Sequence, residues 1–485
     1  MTGFAKNHPG GKFIDLAAGG DVEAFWRHWH YHFHSPKVAD ALRSTRIGSL
    51  VPDESTAANG TDEDPYHTDP PRDMRLHKLW LSKPFNSETA HDQLGQSYLT
   101  PADALYIRNH APVPVIADGD AHRVMFVYGD TEVACESLSA LASRFPQVTV
   151  TSILQCAGNR AADDAKSTGP NGFHGTPFEE LGYGMVGNVQ WSGVRLSDVL
   201  PAMFPQLRAL FDSAGVDAAP GGAAGAGRSL SGGGAPSGRA PSTDATLASG
   251  ELHVIFEGAD GYESSTPLAS VLRGEADCLL ATRMNGDALP RDHGFPCRAL
   301  LPGIAGARNV KWVTCIRLSD RPSEAPWNAH YYKRADGTEV QALPLQSIVV
   351  QPARGQPVRA DEDGRFAVSG VAYHGAGGAP VAAVEVSADD GASWHRAKLL
   401  REEVLVDDAT MPHHWIRWVA RVPAPHTQAH ARVCCRATDA DGHAQPRVSD
   451  KQRGYLYNGW HSIDVAVVTG DTSHVAPKAT AERAT

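Results

Sequence analysis

At 485 residues, the chain is too long to fold around one hydrophobic core. Single cores rarely grow beyond about 250 residues, so we expect roughly two to four domains. The 47 glycines and the 20% of charged residues are typical of a globular protein rich in turns. No run of about 18 apolar residues occurs, and the sequence therefore predicts no membrane span.

The charge balance limits the possible partners. The formal net charge is −11, and the Lys and Arg residues are scattered along the chain. Nucleic-acid-binding proteins usually carry a concentrated basic face, so we expect no nucleic-acid partner. An anionic substrate would need a local positive pocket within this acidic protein.

The seven cysteines do not predict a disulfide framework, because their number is odd and none forms a Cys-x-x-Cys pair. Buried, reduced thiols are the simplest interpretation for six of them, namely Cys135, Cys278, Cys297, Cys315, Cys434 and Cys435.

Composition divides the chain into segments. Residues 51–84 contain few apolar side chains and predict a linker. Residues 85–330 alternate apolar runs, such as 148–154 and 252–256, with turns and short helical segments, a pattern typical of a mixed α+β domain. Within this domain, residues 215–250 consist mostly of Gly, Ala, Ser and Pro and predict a flexible surface insertion.

Beyond residue 340 the pattern changes to short β-strands separated by turns. Residues 382–387, 415–422 and 431–437 each have the composition of a strand. Regularly spaced short strands predict an immunoglobulin-like β-sandwich over residues 340–470, followed by a tail at 471–485.

One cysteine differs from the other six in its setting. The segment LQCAGNR, residues 154–160, puts Cys156 at the end of an apolar strand, directly before a Gly-Asn turn. A thiol in that position can face a cavity, and a thiolate is a suitable ligand for a redox metal. Taken alone, the segment is more simply interpreted as a packed core cysteine.

The segment LQCAGNR resembles the molybdenum-ligand motif of the sulfite oxidase and plant nitrate reductase family. Two further regions match in the same order: YIRNH followed by APVP at 106–114, and RDHGFPCR at 291–298 with GARNVKW at 306–312. The matching region extends over residues 84–320. The resemblance implies an α+β molybdenum-cofactor domain in which Cys156 is the protein's ligand to the metal.

Pyranopterin cofactors carry a phosphate, which needs cations and backbone N–H groups around it. Each candidate residue, taken singly, could equally be a surface charge or a core residue with satisfied hydrogen bonds. The resemblance assigns to the molybdenum–molybdopterin site Tyr106, Ile107, Arg108, Asn109, His110, Asp260, His293, Arg298, Asn309, Val310 and Lys311.

An oxyanion substrate also needs planar bidentate donors, and arginine supplies them. The resemblance places Arg108, Arg453 and Tyr332 with Cys156 as the catalytic residues, with Tyr331 as the alternative to its neighbour Tyr332. The chain departs from the family motif at one position, where Ala161 stands in place of a second Arg after Arg160. The missing charge leaves the identity of the substrate open.

The N-terminal segment HPGG at 8–11 and the LAAGG and Phe-Trp that follow resemble the haem-binding half of cytochrome b5. The resemblance implies that His8 and His32 ligate a haem iron, with His34 as the alternative second ligand. In that fold the first haem His lies well inside the domain, whereas seven residues precede His8 here. We therefore expect residues 1–50 to be a partial domain that binds b-type haem only in a longer chain.

The order of segments, with the cytochrome b5-like part first, favours a sulfite-oxidising enzyme. The resemblance implies oxidation of sulfite to sulfate, single electrons leaving through haem to a cytochrome c-like acceptor, and a homodimer formed by the C-terminal domain. Two alternatives stay open: an enzyme of the same fold with another substrate, because of Ala161, and a non-enzymatic dimeric scaffold. No secretory signal is present at residues 1–20, and the compartment could be cytoplasm, periplasm or mitochondrial intermembrane space.

Overall fold

A computed structural model describes residues 40, 43, 64–174, 176, 178–205, 207, 252–272, 277–401, 413–424, 430–450 and 453–468. The predicted haem-binding residues His8, His32 and His34 lie outside the described residues. The predicted insertion at 215–250 and the predicted tail at 471–485 also lie outside them.

The first structural unit mixes short strands with a few short helices. Its strands are β1 His77–Ser82, β2 Phe85–Thr89, β3 Ile107–Arg108, β4 Arg123–Tyr128, β5 Thr131–Ser137, β6 Gln147–Gln155, β7 Val186–Arg195, β8 His253–Gly258, β9 Glu263–Pro267, β10 Leu279–Met284, β11 Asp287–Ala288, β12 Arg298–Leu300 and β13 Val313–Ser319. Its α-helices are α1 Leu138–Arg144, α2 Ala161–Thr168, α3 Leu196–Met203 and α4 Leu268–Leu272.

Three sheets organise these strands, in the orders β1-β2-β3, β11-β10-β7-β6 with β12 beside β10, and β5-β4-β13-β8-β9. Strands β6 and β7 pair antiparallel over their whole length, from Gln147 opposite Val194 to Gln155 opposite Val186. The predicted strands at 148–154 and 252–256 are confirmed as β6 and β8. The last six residues of β6 are buried, so the strand delivers Cys156 into the interior.

The helices cover the sheets through apolar faces. In α3, the buried residues Leu196, Val199, Leu200 and Met203 recur at helical spacing and join the main hydrophobic core. Ser137 caps the N-terminus of helix α1, because its side-chain oxygen accepts a hydrogen bond from the backbone N–H of Ala140 at 3.1 Å.

The predicted linker over residues 51–84 is wrong in its second half, because residues 64–84 pack onto the first unit. Tyr66 is buried, and β1 pairs antiparallel with β2. Arg72 donates to both carboxylate oxygens of Asp292, at 2.8 and 2.7 Å. The segment is held mainly by ion pairs and strand pairing and contributes few apolar side chains, so its composition resembles that of a linker.

The second unit is a two-layer β-sandwich, as the sequence predicts. Its strands are β14 Gln346–Gln351, β15 Pro357–Arg359, β16 Arg365–Tyr373, β17 Val381–Ser387, β18 His395–Arg396, β19 Lys398–Leu399, β20 Ile416–Pro423, β21 His430–Asp439 and β22 His461–Val468. The layers have the orders β14-β16-β20-β19 and β15-β22-β21-β17-β18 and enclose a separate core of Val, Ile, Ala and Trp side chains. The strands predicted at 382–387, 415–422 and 431–437 are confirmed as β17, β20 and β21.

The two units share an interface. Val350, Tyr373 and Trp415 of the sandwich belong to the hydrophobic core of the first unit. The guanidinium of Arg160, which is fully buried, donates to the backbone oxygens of Gly459 at 2.8 Å and Trp460 at 3.0 Å. The turn that follows Cys156 is therefore anchored on the sandwich.

Within the described ranges, no helix is both long and apolar enough to cross a bilayer.

Candidate molybdenum-cofactor site

Cys156 lies between the end of β6 and a tight turn that leads into α2. Its backbone N–H donates to Met185 O at 3.0 Å, and its carbonyl accepts from Asn159 N–H at 3.0 Å. Arg160 ends the turn in the left-handed region, with φ of 69°. Strand pairing on one side and the turn on the other therefore fix the direction of the thiol.

The Cys156 side chain borders two adjoining cavities. The first, which we call the inner cavity, is lined by Tyr106, Arg108, His110, Leu154, Cys156, Asp260, Tyr262, Asp292, His293, Arg298, Gly306, Ala307, Asn309, Val310, Lys311, Trp312 and Tyr332. Most residues that the sequence assigns to the cofactor thus meet around one space. Ile107 and Asn109 are the exceptions, since both are buried next to the cavity without lining it.

Strands β2 and β3 position Arg108. Asn86 and Arg108 are paired across β2 and β3, and the Arg108 guanidinium donates to Asn86 Oδ1 at 2.7 Å. The guanidinium also donates to Asn109 O at 2.8 Å and lies 4.8 Å from the centre of the Phe178 ring. These contacts hold the charge at the boundary of the two cavities.

The inner cavity contains buried cations that the described chain does not neutralise. Lys311 Nζ donates to Arg108 O at 3.1 Å, to Asp292 O at 2.8 Å and to Asn109 Oδ1. Burial lowers the pKa of Lys311 to about 7. Arg298 donates to the backbone oxygens of His293 and Asn309 at 3.1 and 2.9 Å, and burial lowers its pKa to about 10.

The carboxylates at the inner cavity do not balance these charges. Asp292 is already engaged by Arg72, as described above. Burial raises the pKa of Asp260 to about 6, so this carboxyl is mostly ionised at pH 7 and offsets the partial charge of Lys311, whose pKa is about 7. The charges of Arg108 and Arg298 remain in excess. The inner cavity therefore favours an anionic ligand.

Both histidines at this site are neutral. Burial lowers the pKa of His293 to about 3, and its Nε2 donates to Ala102 O at 2.9 Å. Burial lowers the pKa of His110 well below its usual value, with Arg108 and Lys311 adding to the effect. The His110 ring stacks on Tyr262 at 4.7 Å between ring centres.

The second cavity, which we call the outer cavity, has a volume of about 240 Å³. Arg108, His110, Cys156 and Tyr332 line both cavities. The other residues of the outer cavity are mostly apolar: Leu81, Pro84, Asn86, Gly158, Gly172, Phe173, Thr176, Phe178, Leu181, Trp327, Tyr331 and Tyr455.

The two candidate tyrosines differ in position. Tyr332 is 6% exposed, and its hydroxyl lies 3.3 Å from His110 Nε2. Tyr331 is 36% exposed and lines only the outer cavity, not the inner one. Burial raises the pKa of Tyr332, and the nearby Arg108 charge partly opposes this shift. The Tyr332 hydroxyl is therefore protonated at neutral pH.

Arg453 does not reach either cavity. Its side chain is exposed, and its backbone oxygen accepts from Gly172 N–H at 3.1 Å. The catalytic position predicted for Arg453 therefore differs from the structure, in which this residue supports the rim of the outer cavity through its backbone.

Position 161 lies in the apolar wall behind the site. Ala161 is fully buried and belongs to the same hydrophobic cluster as Cys156, Leu181 and Phe173. Arg160 cannot replace the missing guanidinium, because its own donors are bonded to Asp163, Gln346 and the backbone of the sandwich.

Sequence reasoning missed several residues of the site. Asn86, Phe173, Phe178 and Tyr455 line the outer cavity but lie outside the short motifs on which the resemblance was based. Asp292 lies inside one of these motifs, but its role in the site was not predicted. Its partner Arg72 is 220 residues away in the sequence, and no spacing pattern connects the two.

The residues present fit a molybdopterin cofactor. The Nε of Arg298 is buried without a hydrogen-bond partner among the described residues, as expected of a donor that awaits an anion such as a phosphate. A Cβ at Gly306 would lie 2.9 Å from both Gln155 O and the Tyr106 hydroxyl, so glycine keeps the cavity open there. No three His, Cys, Asp or Glu side chains cluster as a metal site within the described part.

Comparison with known proteins agrees with this chemistry. The model of the oxidoreductase molybdopterin binding domain matches residues 110–327, and that of the Mo-co oxidoreductase dimerisation domain matches residues 338–468. Among solved structures, the fold is similar to that in the crystal structure of the sulfane dehydrogenase SoxCD from Paracoccus pantotrophus, with a TM-score of 0.57. That match covers 88% of this chain and 97% of that chain at 20% identity, which supports the fold alone.

Curated relatives match over most of the chain. The mitochondrial sulfite oxidase of Homo sapiens is 34% identical over 96% of this chain and 79% of its own length. The sulfite oxidase of Gallus gallus is 33% identical over 95% of this chain and 93% of its own length. The nitrate reductase of Ulva prolifera is 30% identical over 78% of this chain, but the match covers only 41% of that protein's length. The chain therefore belongs to the sulfite oxidase family and is a molybdopterin-dependent oxidoreductase.

Proposed function

We propose that this protein oxidises sulfite to sulfate, taking the added oxygen from water and releasing two electrons and two protons. The observation that carries the proposal is the Arg108 guanidinium beside Cys156, in a cavity whose other walls are mostly apolar. The relatives named sulfite oxidases add support. When bound, the molybdenum cofactor supplies the two-electron redox chemistry.

Arg108 binds the substrate oxyanion in this proposal. A guanidinium presents paired donors that match two oxygens of an oxyanion. Asn86 Oδ1 and the Phe178 ring hold its plane, as the distances of 2.7 and 4.8 Å indicate. Because few polar groups surround it, the ion pair is weakly screened by water and orients the anion firmly.

Tyr332 acts as a neutral donor in this proposal. Burial keeps its hydroxyl protonated, and it can donate to a substrate or product oxygen. His110 is neutral and packs against Tyr262, so it shapes the site without adding charge. Arg453, at the exposed rim, attracts the anion from solution.

We also propose the electron route and the assembly implied by the resemblance. Single electrons leave through a b-type haem on His8 and His32 to a cytochrome c-like acceptor. The dimerisation-domain match at residues 338–468 supports a homodimer of the sandwich domain.

Substitution Arg108→Gln tests the substrate assignment. The loss of a charged hydrogen bond, about 1.5 to 3 kcal/mol, should raise the KM for sulfite roughly 10- to 100-fold. Activity is measured as sulfite-dependent reduction of ferricyanide, with molybdenum content determined on the same sample. Arg396→Gln, at an exposed position in the sandwich, is the matched control and should leave KM unchanged. An unchanged KM in Arg108→Gln would remove the basis of the proposal.

A second candidate function keeps the cofactor and changes the substrate. The observation that favours it is Ala161, where the family motif carries an arginine. An enzyme of this kind would show molybdenum binding without sulfite-dependent reduction of the acceptor.

A further inference from the structure

The outer cavity is larger and more apolar than a small oxyanion requires. Its volume is about 240 Å³, and its walls include the rings of Phe173, Phe178, Trp327 and Tyr455. For comparison, an engineered apolar cavity of about 150 Å³ stays dry and binds benzene. The outer cavity therefore has room for an aromatic ring in addition to a sulfur-oxygen headgroup.

The charge of the outer cavity fits a monoanion. Among its described lining residues, Arg108 is the only formal cation, and His110 is neutral. A monoanion is fully balanced by this guanidinium, whereas one charge of a dianion such as sulfite would have to stay near the solvent-exposed rim.

The outer cavity combines polar groups that it shares with the inner cavity and aromatic rings that line it alone. The two sets are in contact, since Tyr455 lies 5.6 Å from Tyr332 between ring centres. Arg108, Cys156 and Tyr332 are among the shared groups. Phe173 and Tyr455 pack edge to face at 5.2 Å and line only the outer cavity. A substrate with a charged head and an apolar body would enter with the head towards Cys156.

We propose that this site oxidises organic sulfinates with an aromatic or other bulky apolar substituent, a substrate class that rests on the proposed sulfur-oxidising function. The reaction is R–SO₂⁻ + H₂O → R–SO₃⁻ + 2H⁺ + 2e⁻. The sulfur gains one oxygen from water, the R–S bond stays intact, and the electrons pass to a one-electron acceptor. Sulfinate and sulfite each have a lone pair on sulfur. Sulfinate differs from sulfite in that it carries a single charge and a side group that the outer cavity can bury.

Steady-state kinetics of the molybdenum-loaded enzyme test this proposal with benzenesulfinate, methanesulfinate and sulfite, with ferricyanide as acceptor. One methylene in an apolar pocket changes specificity by roughly 10-fold or more, so kcat/KM for benzenesulfinate should exceed that for methanesulfinate at least about 10-fold. Turnover of sulfite without any preference for benzenesulfinate would overturn this inference and leave the proposed function standing. Turnover of none of the three would overturn both.

A binding measurement gives a readout that is independent of turnover. Benzenesulfonate, the product, should bind more tightly than methanesulfonate in calorimetry. Leu81→Trp would fill the outer cavity and should abolish that difference. Leu79→Trp, on the same strand but 43% exposed and away from the cavity, is the control and should retain it. Equal affinity for both sulfonates in the wild-type protein would contradict the proposal.

Discussion

Burial raises the pKa of the Cys156 thiol, and the nearby Arg108 charge opposes the shift only in part. A thiol in this setting stays protonated and inert at neutral pH unless a cation displaces the proton. A coordinated metal does so directly. The same buried thiol that is unreactive on its own is thus suited to serve as a metal ligand.

We predict that Cys156→Ser abolishes turnover and leaves the fold intact. A hydroxyl is a poor replacement for a soft thiolate at the metal, whereas its volume fits the same position. Turnover and circular dichroism on the same preparation check the prediction. Cys297→Ser, at a buried cysteine outside both cavities, is the control and should keep activity. Wild-type turnover in Cys156→Ser would refute the assignment.

Ala161→Arg tests the missing guanidinium. If the new side chain reaches the site, the KM for sulfite should fall at least several-fold, since a charged hydrogen bond contributes about 1.5 to 3 kcal/mol. Because Ala161 is fully buried, the longer side chain should also lower stability by about 1 to 3 kcal/mol. An unchanged KM at unchanged molybdenum content would show that position 161 does not contribute to anion binding.

Lys311 makes the stability of the cofactor-free protein depend on pH. The unfolded chain keeps this proton up to the usual lysine pKa, whereas burial lowers the folded pKa to about 7. The unfolded state therefore binds more protons above pH 7, and stability should rise with pH. We predict a higher Tm at about pH 8 than at about pH 7, a gain that Lys311→Met removes. A pH-independent Tm difference between the two proteins would contradict this account.

At the scale of elements, the segment before β1 and the turn of residues 291–293 form one support beneath the inner cavity. Arg72 and Asp292 are 10% and 9% exposed, and Asp292 also accepts from Asn109 Nδ2 at 3.1 Å. This pair fixes the turn that presents His293 to the inner cavity.

Arg72→Gln should destabilise the fold strongly. Removing one partner of a buried ion pair leaves the other charge uncompensated and costs about 3 to 5 kcal/mol. Arg75→Gln, which breaks the exposed pair with Asp73, should cost at most about 1 kcal/mol. Denaturant unfolding of both variants measures the contrast. Equal stability losses would mean that the Arg72–Asp292 pair does not hold the segment.

The sequence predicts the elements with strong local patterns and misses those held by distant contacts. Strands β6, β17 and β20 follow from β-branched runs between turns, and the candidate cofactor residues follow from contiguous motifs. The segment 64–84 has neither, because its order depends on pairing with β2 and with Asp292. The direction of Arg453 depends on a left-handed turn at φ of 59°, which no motif reveals.

At the scale of the whole molecule, the two units meet behind Cys156. Arg160 binds Gln346 and the backbone at Gly459 and Trp460, so the sandwich holds the turn after Cys156, the proposed metal ligand. The aromatic wall of the outer cavity also combines Tyr455 from the C-terminal unit with Phe173 and Phe178 from the first. Substrate selectivity therefore depends on how both units pack.

The most direct test of a molybdenum centre on Cys156 is X-ray absorption at the molybdenum edge, on wild-type protein and on Cys156→Ser. We predict molybdenum in the wild-type protein with one more sulfur ligand than in the variant, because the cofactor's own ligands remain. An equal number of sulfur ligands in the two proteins, or wild-type protein unable to bind molybdenum, would contradict the account.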